Sequence, residues 1–243
     1  MHSIYWRSGG LGLHPRPWCR LRSRRDRYAV PCGKRAASVT RRVLITGVLA
    51  LASLTTSAGN GKAATTGPAA TIAGFYDALL GIMKEGRRIP FDQRYAQLQP
   101  AVARAFDLAL MTRIAIGPDW ARLNPAQQRR LEAAFARYTI ATYANRFDGY
   151  SGERFTVDPS PVATANGALV RTHLIPADGQ PVSLDYLMRQ TARSSWQVID
   201  VYLNGTISEL ATRRAEFTAV LDKQGAEGLV RMLDQRAAAL RTG

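Results

Sequence analysis

The 243-residue chain carries 33 Lys and Arg against 18 Asp and Glu, a formal net charge of +15, and 46% of its residues are hydrophobic. This apolar content excludes a disordered chain, and 20 Gly and 12 Pro without a period exclude a collagen-like fibre. The sequence contains no apolar run of the roughly 20 residues that an ordinary transmembrane helix requires.

The basic charge is concentrated at the amino-terminal end. Residues 1–63 hold 12 of the 33 basic residues and a single acid, Asp26, so they carry +11 and residues 64–243 carry +4. A charge of +4 that is dispersed among acidic residues is too weak to form a nucleic-acid-binding surface. The sequence therefore predicts no nucleic-acid partner.

Residues 1–63 are predicted to be a basic leader with a secretory signal. Thr40-Arg41-Arg42 precedes a mostly apolar segment of 12 residues, Val43 to Leu54, and small residues follow. This order is typical of a cleavable signal peptide, with cleavage after Ala58 or Ala63. The alternative is an uncleaved anchor helix, although the apolar segment is short for a membrane span. The Arg pair also resembles a twin-arginine export signal.

Residues 64–243 are predicted to form one domain, which starts with a helix after a linker at Gly61 to Ala70. The helix's apolar residues recur at the spacing of one helical face, and Gly86 and Pro90 are expected to end it. These apolar residues are Ile72, Phe75, Tyr76, Leu79, Leu80 and Met83.

Two short helices are predicted next, at Phe91 to Leu98 and at Val102 to Ile116. Pro100 is expected to open the second and Gly117 to close it, because proline favours the first turn of a helix and glycine its end.

A long helix is predicted from Pro125 to about Phe147. Asn124-Pro125-Ala126-Gln127 places Asn at the N-cap, Pro at the first helical position and Gln at the third, which is a strong start signal. Its expected buried face consists of Leu131, Phe135, Tyr138 and Thr142, with Tyr143 at the edge.

The periodicity then changes to that of β-strands. Ala168 to Ile175 and Pro181 to Met188 are separated by an Asp178-Gly179 turn signal, which predicts a hairpin. Phe155 and Val157 suggest another strand. In the run Trp196 to Leu203, apolar residues dominate both faces, which predicts a central strand. Alternation places Trp196, Val198, Asp200 and Tyr202 on one of these faces.

The chain is predicted to end in two helices, near Ser208 to Asp222 and Ala226 to Leu240, separated at Lys223-Gln224-Gly225. Runs of one element type, rather than strict alternation, indicate an α+β fold. We expect the N-terminal helices and the long helix to pack, with the C-terminal helices, on an antiparallel β-meander.

Residues suited to catalysis or metal binding are scarce. Cys19 and Cys32 both lie in the leader, and His173 is the single histidine of residues 64–243. A lone histidine on a strand is expected to be an ordinary surface or half-buried residue, because it lacks partners for a site. The sequence also has no Gly-rich phosphate loop. We therefore predict no catalytic residue, no metal site and no cofactor.

Asp200 is the single charged residue in an otherwise apolar strand. A buried carboxylate must be paired or hydrogen-bonded, which favours a structural role, with Arg213 and Arg214 as candidate partners. A catalytic base is the alternative.

Several short segments, in this order, resemble the MlaC-type family of periplasmic lipid-binding proteins, also called toluene-tolerance proteins. They are Gly117-Pro118-Asp119-Trp120, Leu123 to Gln128, Tyr150-Ser151-Gly152-Glu153, Trp196 to Val201 and Gly205 to Ser208. Three further segments resemble the hopanoid-biosynthesis-associated HpnM branch. They are Phe75 to Leu80, Arg146 to Tyr150 and Thr206 to Arg214.

The resemblance implies a periplasmic carrier that holds lipid tails in an apolar pocket and shuttles lipid between the inner and outer membranes. It also implies an inner-membrane lipid transporter and an outer-membrane lipoprotein as partners. The HpnM branch implies a hopanoid ligand, and the wider family implies a phospholipid. Two alternatives remain, which are a small α+β enzyme that uses Asp200 or His173 and an exported interaction protein.

The resemblance and the periodicity together predict the pocket lining. The predicted lining residues are Leu79, Met83, Phe135, Tyr143, Tyr186, Met188, Val201 and Phe217.

Overall fold

The computed structural model describes residues 67–242. The predicted leader, its signal and the predicted domain start at residue 64 lie outside this range. Within residues 67–242, no helix combines the length and the apolar character that a membrane crossing requires.

Helix α1 spans Pro68–Glu85 and continues into a 3₁₀ turn at Gly86–Arg88. The linker prediction was wrong for its last three residues, because Pro68 occupies the first turn of the helix, where its missing N–H costs nothing. The end at Gly86 is confirmed, and its φ of 57° lies in the region that glycine favours. The predicted apolar face is buried except for Leu80, which is half-buried.

Helices α2 and α3 span Phe91–Ala105 and Leu108–Ile116. The predicted boundary at Pro100 was wrong, since α2 continues through this residue. The break falls later because the Asp107 N–H donates to the Val198 carbonyl at 3.0 Å, and the Asp107 carboxylate accepts from the Leu110 N–H at 2.9 Å. A long-range contact and a helix cap therefore set the boundary.

Helix α4 spans Pro125–Arg146, as predicted to within one residue. The Asn124 side chain accepts from the N–H groups of Ala126 and Gln127, and the Gln127 side chain accepts from the Asn124 N–H, each at 3.0 Å. This capping box confirms the predicted start signal.

Within the described part of the chain, seven strands form one curled antiparallel sheet. They are β1 (Arg154–Val157), β2 (Val162–Thr164), β3 (Gly167–Val170), β4 (Thr172–Ile175), β5 (Val182–Gln190), β6 (Trp196–Leu203) and β7 (Ile207–Ser208). Strand β5 pairs with β3 and β4 on one side and with β6 on the other. The α+β fold is confirmed.

The predicted hairpin is present, but its first strand is divided. His173 lies opposite Ser183 in β5, and Val170 lies opposite Tyr186, so β3 and β4 keep one register along β5. They separate at Arg171, whose carbonyl accepts a hydrogen bond from the Asp158 N–H at 2.9 Å.

A bulge changes the faces of β6. Met188 lies opposite Val198, whereas Leu187 lies opposite Asp200, so Ile199 is an extra residue. The predicted alternation was wrong beyond this point, because an extra residue moves every following side chain to the other face. Val198 and Val201 therefore share the core face.

Strand β6 is buried on both faces, as expected, but it is not central. Its further partner, β7, pairs with it only at Tyr202 and Leu203. The strand is buried because helices α1, α2, α3 and α5 pack against it.

Helix α5 spans Glu209–Thr242 and is broken at Gly225, where φ is 66° and ψ is −174°. The predicted division into two helices is confirmed. Exposed ion pairs from Arg130 to Glu227 and from Arg137 to Asp234 connect the second half of α5 to α4.

Candidate functional site

Five aromatic side chains fill the space between the helices and the sheet. Six pairs of these rings have centroids 5.0 to 6.3 Å apart, all in edge-to-face or tilted contacts. This aromatic cluster consists of Phe75, Tyr76, Phe106, Tyr143 and Tyr186. It joins α1, α4 and β5 in one core.

The hydroxyl groups of the aromatic cluster bind one another inside the core. The Tyr76 oxygen lies 2.7 Å from the Thr172 Oγ1 and 3.0 Å from the Tyr186 oxygen. Burial raises the pKa of Tyr76 to about 12 and also raises the pKa of Tyr143 and Tyr186. These hydroxyls are neutral at physiological pH and are not general bases there.

Phe147 and Phe155 extend the aromatic cluster toward the surface. The Phe155 ring stacks on Tyr76 with a centroid distance of 4.3 Å, and the Phe147 ring stacks on Tyr143 at 5.8 Å. The Phe147 and Phe155 rings lie 6.1 Å apart. Both side chains are half-buried, so a continuous aromatic surface leads from the core to solvent.

Two adjoining clefts open at Phe147 and Phe155 and share Tyr150 and Glu153 in their walls. The first holds about 440 Å³ and the second about 390 Å³, within the range of small-molecule sites. We refer to them as the paired clefts. Their apolar walls consist of Met83, Phe147 and Leu174 in the first cleft and Leu80, Phe155 and Ile175 in the second.

The rim of the paired clefts is charged. The Arg87 Nε donates to the Asp148 Oδ2 at 2.9 Å, and the Lys84 Nζ lies 5.7 Å from the centre of the Tyr150 ring. Arg146 also lines the first cleft, and burial lowers the pKa of its guanidinium. An apolar wall with a charged rim suits an amphiphilic ligand.

Sequence reasoning did not identify this rim. Its residues come from the end of α1, the segment that follows α4, and strands β1 and β4, so no local periodicity groups them. The signal within the sequence is the segment Arg146 to Arg154, in which Gly149 and Gly152 interrupt aromatic and charged residues between a helix and a strand.

A third cleft of about 600 Å³ lies between α1, α2 and β6. Its walls are mostly small side chains, such as Ala70, Gly74 and Ala101, together with Trp196. It contains none of the predicted lining residues.

Three of the predicted lining residues lie along the path from the core to the paired clefts. Met83 is buried and lines the first cleft. Tyr143 and Tyr186 belong to the aromatic cluster, and Tyr143 contacts Phe147 directly.

The other five predicted lining residues are buried in the same core. Leu79 on α1, Met188 on β5 and Val201 on β6 belong to the buried hydrophobic core. Phe135 and Phe217 pack edge to face at 6.4 Å, where α4 meets α5. The contact of all eight residues with a ligand stays a prediction.

Asp200 is hydrogen-bonded, as a buried carboxylate must be. It accepts from the Val201 N–H at 2.8 Å, from the Ser208 hydroxyl at 2.6 Å and from the Leu210 N–H at 3.4 Å, so it caps the start of α5. The expected partner Arg214 instead donates to the Ile114 carbonyl at 2.8 Å.

The second expected partner of Asp200, Arg213, forms an ion pair with Glu209 at 3.7 Å. His173 is exposed on β4. Within the part of the chain that the structure describes, no group of three or more His, Cys, Asp or Glu side chains is arranged to bind a metal.

Comparison with known proteins gives one family and a solved relative. The sequence profile of the MlaC protein family matches residues 74–235. A phospholipid-binding protein from Ralstonia solanacearum, solved in complex with a phospholipid, is 27% identical with a TM-score of 0.62. The match covers 71% of this chain and 98% of that chain. The shared α+β architecture therefore extends over almost all of the relative.

Proposed function

This chain belongs to the MlaC family, whose profile matches about two thirds of it, and from that premise we propose that it is a periplasmic lipid carrier. In this proposal it holds lipid tails in an apolar pocket and shuttles lipid between the inner and outer membranes. The leader in residues 1–63 would direct its export.

One observation carries the proposal. The aromatic cluster continues through Phe147 and Phe155 into the paired clefts, in a fold whose solved relative was crystallised with a phospholipid. An acyl chain gains about 0.8 kcal/mol for each CH₂ that leaves water, so a long apolar path gives affinity without catalysis.

The tails would enter where Phe147 and Phe155 meet and would part the helices from the sheet. The eight predicted lining residues would then contact them. In this proposal Met83, Tyr143 and Tyr186 would contact the tails near the entrance, and Phe135 and Phe217, where α4 meets α5, would contact their far ends.

The resemblance to the HpnM branch supports a hopanoid as one ligand, and the solved relative supports a phospholipid. As partners we propose an inner-membrane lipid transporter and an outer-membrane lipoprotein, which the resemblance implies.

We also propose that the chain is not an enzyme. The Asp200 carboxylate is engaged in capping α5, and the buried tyrosines stay protonated. His173 stands on the exposed side of β4. These residues have the geometry of structural groups.

Lipid extraction and mass spectrometry of the purified protein test this function. A bacterium that makes hopanoids should be the source, so that both ligand classes are available. A co-purifying phospholipid or hopanoid, together with lipid transfer between vesicles, is the expected result. Lipid-free protein that transfers neither class would contradict the proposal.

A further inference from the structure

Cationic side chains outnumber anionic ones in the walls of the paired clefts. The four cations are Lys84, Arg87, Arg146 and Arg154, and the two anions are Asp148 and Glu153. Arg146 also interacts with Glu209, which lies outside the clefts, so the excess that a ligand meets there comes from Lys84, Arg87 and Arg154.

The two carboxylates are already engaged. Asp148 accepts from the Arg87 guanidinium at 2.9 Å, and the Glu153 Oε2 accepts from the Ser151 N–H at 2.6 Å. Within residues 67–242, in contrast, neither Lys84 nor Arg154 has an acidic side chain within ion-pair distance. The charge that remains available to a ligand is therefore positive.

Helix capping does not account for Lys84. Cations often collect at the last turn of a helix because they interact with its carbonyl groups. At the end of α1, Arg88 performs this role, since it donates to the carbonyls of Lys84 and Glu85 at 2.7 and 3.1 Å. The Lys84 ammonium instead lies over the Tyr150 ring, beside the second cleft.

Arg87 can also change partner. Its side chain is 85% exposed, and exposed ion pairs of this kind contribute little stability. A phosphate group that enters the first cleft can replace the Asp148 carboxylate and accept from the same guanidinium.

We propose that the paired clefts hold the headgroup end of the bound lipid and select a phosphate headgroup of net negative charge. This inference rests on the proposed function, because the apolar cleft walls give the lipid tails their way into the core. A zwitterionic headgroup is disfavoured, since its ammonium would lie among cations while both carboxylates have other partners.

Lipid extraction from vesicles tests the selection. Vesicles contain equal amounts of acyl-labelled phosphatidylglycerol and phosphatidylcholine, and the purified protein is separated from them before its lipid is analysed. The test variant is the double substitution Lys84→Gln with Arg154→Gln. The control is Lys223→Gln with Arg129→Gln, which removes one exposed Lys and one exposed Arg outside the paired clefts.

Wild-type protein and the control should prefer phosphatidylglycerol by about fivefold, the factor expected from two exposed charge pairs. The preference should fall close to unity in the test variant and should weaken at high salt. Circular dichroism verifies that both variants are folded.

The proposed headgroup selection is wrong if the wild type extracts the two lipids equally, or if the test variant keeps the wild-type preference. Neither result contradicts the proposed carrier function. If the wild type extracts neither lipid, both the proposed lipid site and this inference are wrong. Inorganic phosphate separates the two sources of this chemistry, since a lipid phosphate site should bind lipid as well as compete with the free anion. Binding of inorganic phosphate by a wild-type protein that extracts neither lipid would mean that a free anion, and not a lipid, is the ligand.

Discussion

Glu209 is a buried acid whose ionisation opposes the folded state. It lies at the start of α5 and is 9% exposed, beside Arg213 and Arg146 and near Asp200. Burial raises its pKa from 4.5 to about 7, although the two arginines oppose the shift. The native state therefore binds the proton more tightly than the unfolded chain does.

The contribution of Glu209 to stability should decrease as pH rises. It is fully present below about pH 4.5 and is lost by about pH 7, because the ionised carboxylate is less stable when buried. Glu209→Gln should remove this dependence and raise the free energy of unfolding at pH 8 by on the order of 1–3 kcal/mol. Urea denaturation at several pH values and constant ionic strength measures the difference from wild type.

Glu216 provides a control of opposite sign. Its hydrogen bond to Arg236 lowers its pKa, so its ionised form stabilises the native state. Glu216→Gln should lower stability at neutral pH, and its effect should diminish in acid. If the Glu209→Gln and wild-type curves run parallel from pH 4.5 to 8, the proposed role of Glu209 is wrong.

At the scale of elements, boundaries set by local chemistry were predictable. Asn124 with Gln127 fixed the start of α4, Asp178-Gly179 fixed the hairpin, and Gly225 fixed the break in α5. Each of these signals acts within a few residues of its own position, so the sequence alone contains it.

Boundaries set by distant contacts were not predictable. The end of α2 depends on the pairing of Phe106 and Asp107 with Val198, more than 90 positions away. The bulge at Ile199 likewise follows from the register between β5 and β6. Because periodicity assumes unbroken strands, it placed Val198 and Asp200 on the same face.

The capping box of α4 allows a test at this scale. Asn124→Ala leaves the N–H groups of Ala126 and Gln127 without their partner, which should cost about 1 kcal/mol and lower the melting temperature by about 2–4 °C. Gln99→Ala, at an exposed position within α2, is the control and should leave the melting temperature nearly unchanged. Thermal unfolding followed by circular dichroism compares them. Equal melting temperatures for Asn124→Ala and wild type would show that the box does not stabilise α4.

Over the whole molecule, the sequence identified core residues but not an opening. All eight predicted lining residues lie in or against the core, because helical and strand periodicities report burial. The paired clefts combine segments near residues 80–87, 146–156 and 174–175, which only the tertiary fold brings together. A buried face and a ligand path have the same hydrophobic pattern, so periodicity cannot separate them.

The proposed path makes Phe155 a barrier to lipid exchange. Its ring stacks on Tyr76 and forms part of the second cleft wall, so lipid tails must displace it to reach the core. Phe155→Ala should therefore accelerate lipid exchange between the protein and vesicles several-fold, measured by the dequenching of an acyl-chain fluorophore. The variant should also be less stable, because it loses a half-buried ring.

Phe91→Ala separates a local effect on the path from general loosening of the fold. Phe91 is also a half-buried ring, but it contacts Tyr95 on α2 and lines neither of the paired clefts. Its exchange rate should equal that of the wild type. Phe155→Leu keeps apolar volume at the stacking position, so its lipid-exchange rate should lie between those of the wild type and Phe155→Ala. This variant replaces Phe155→Ala in the comparison if the alanine variant does not fold. Equal acceleration by the Phe91 and Phe155 variants would place the lipid path elsewhere in the molecule.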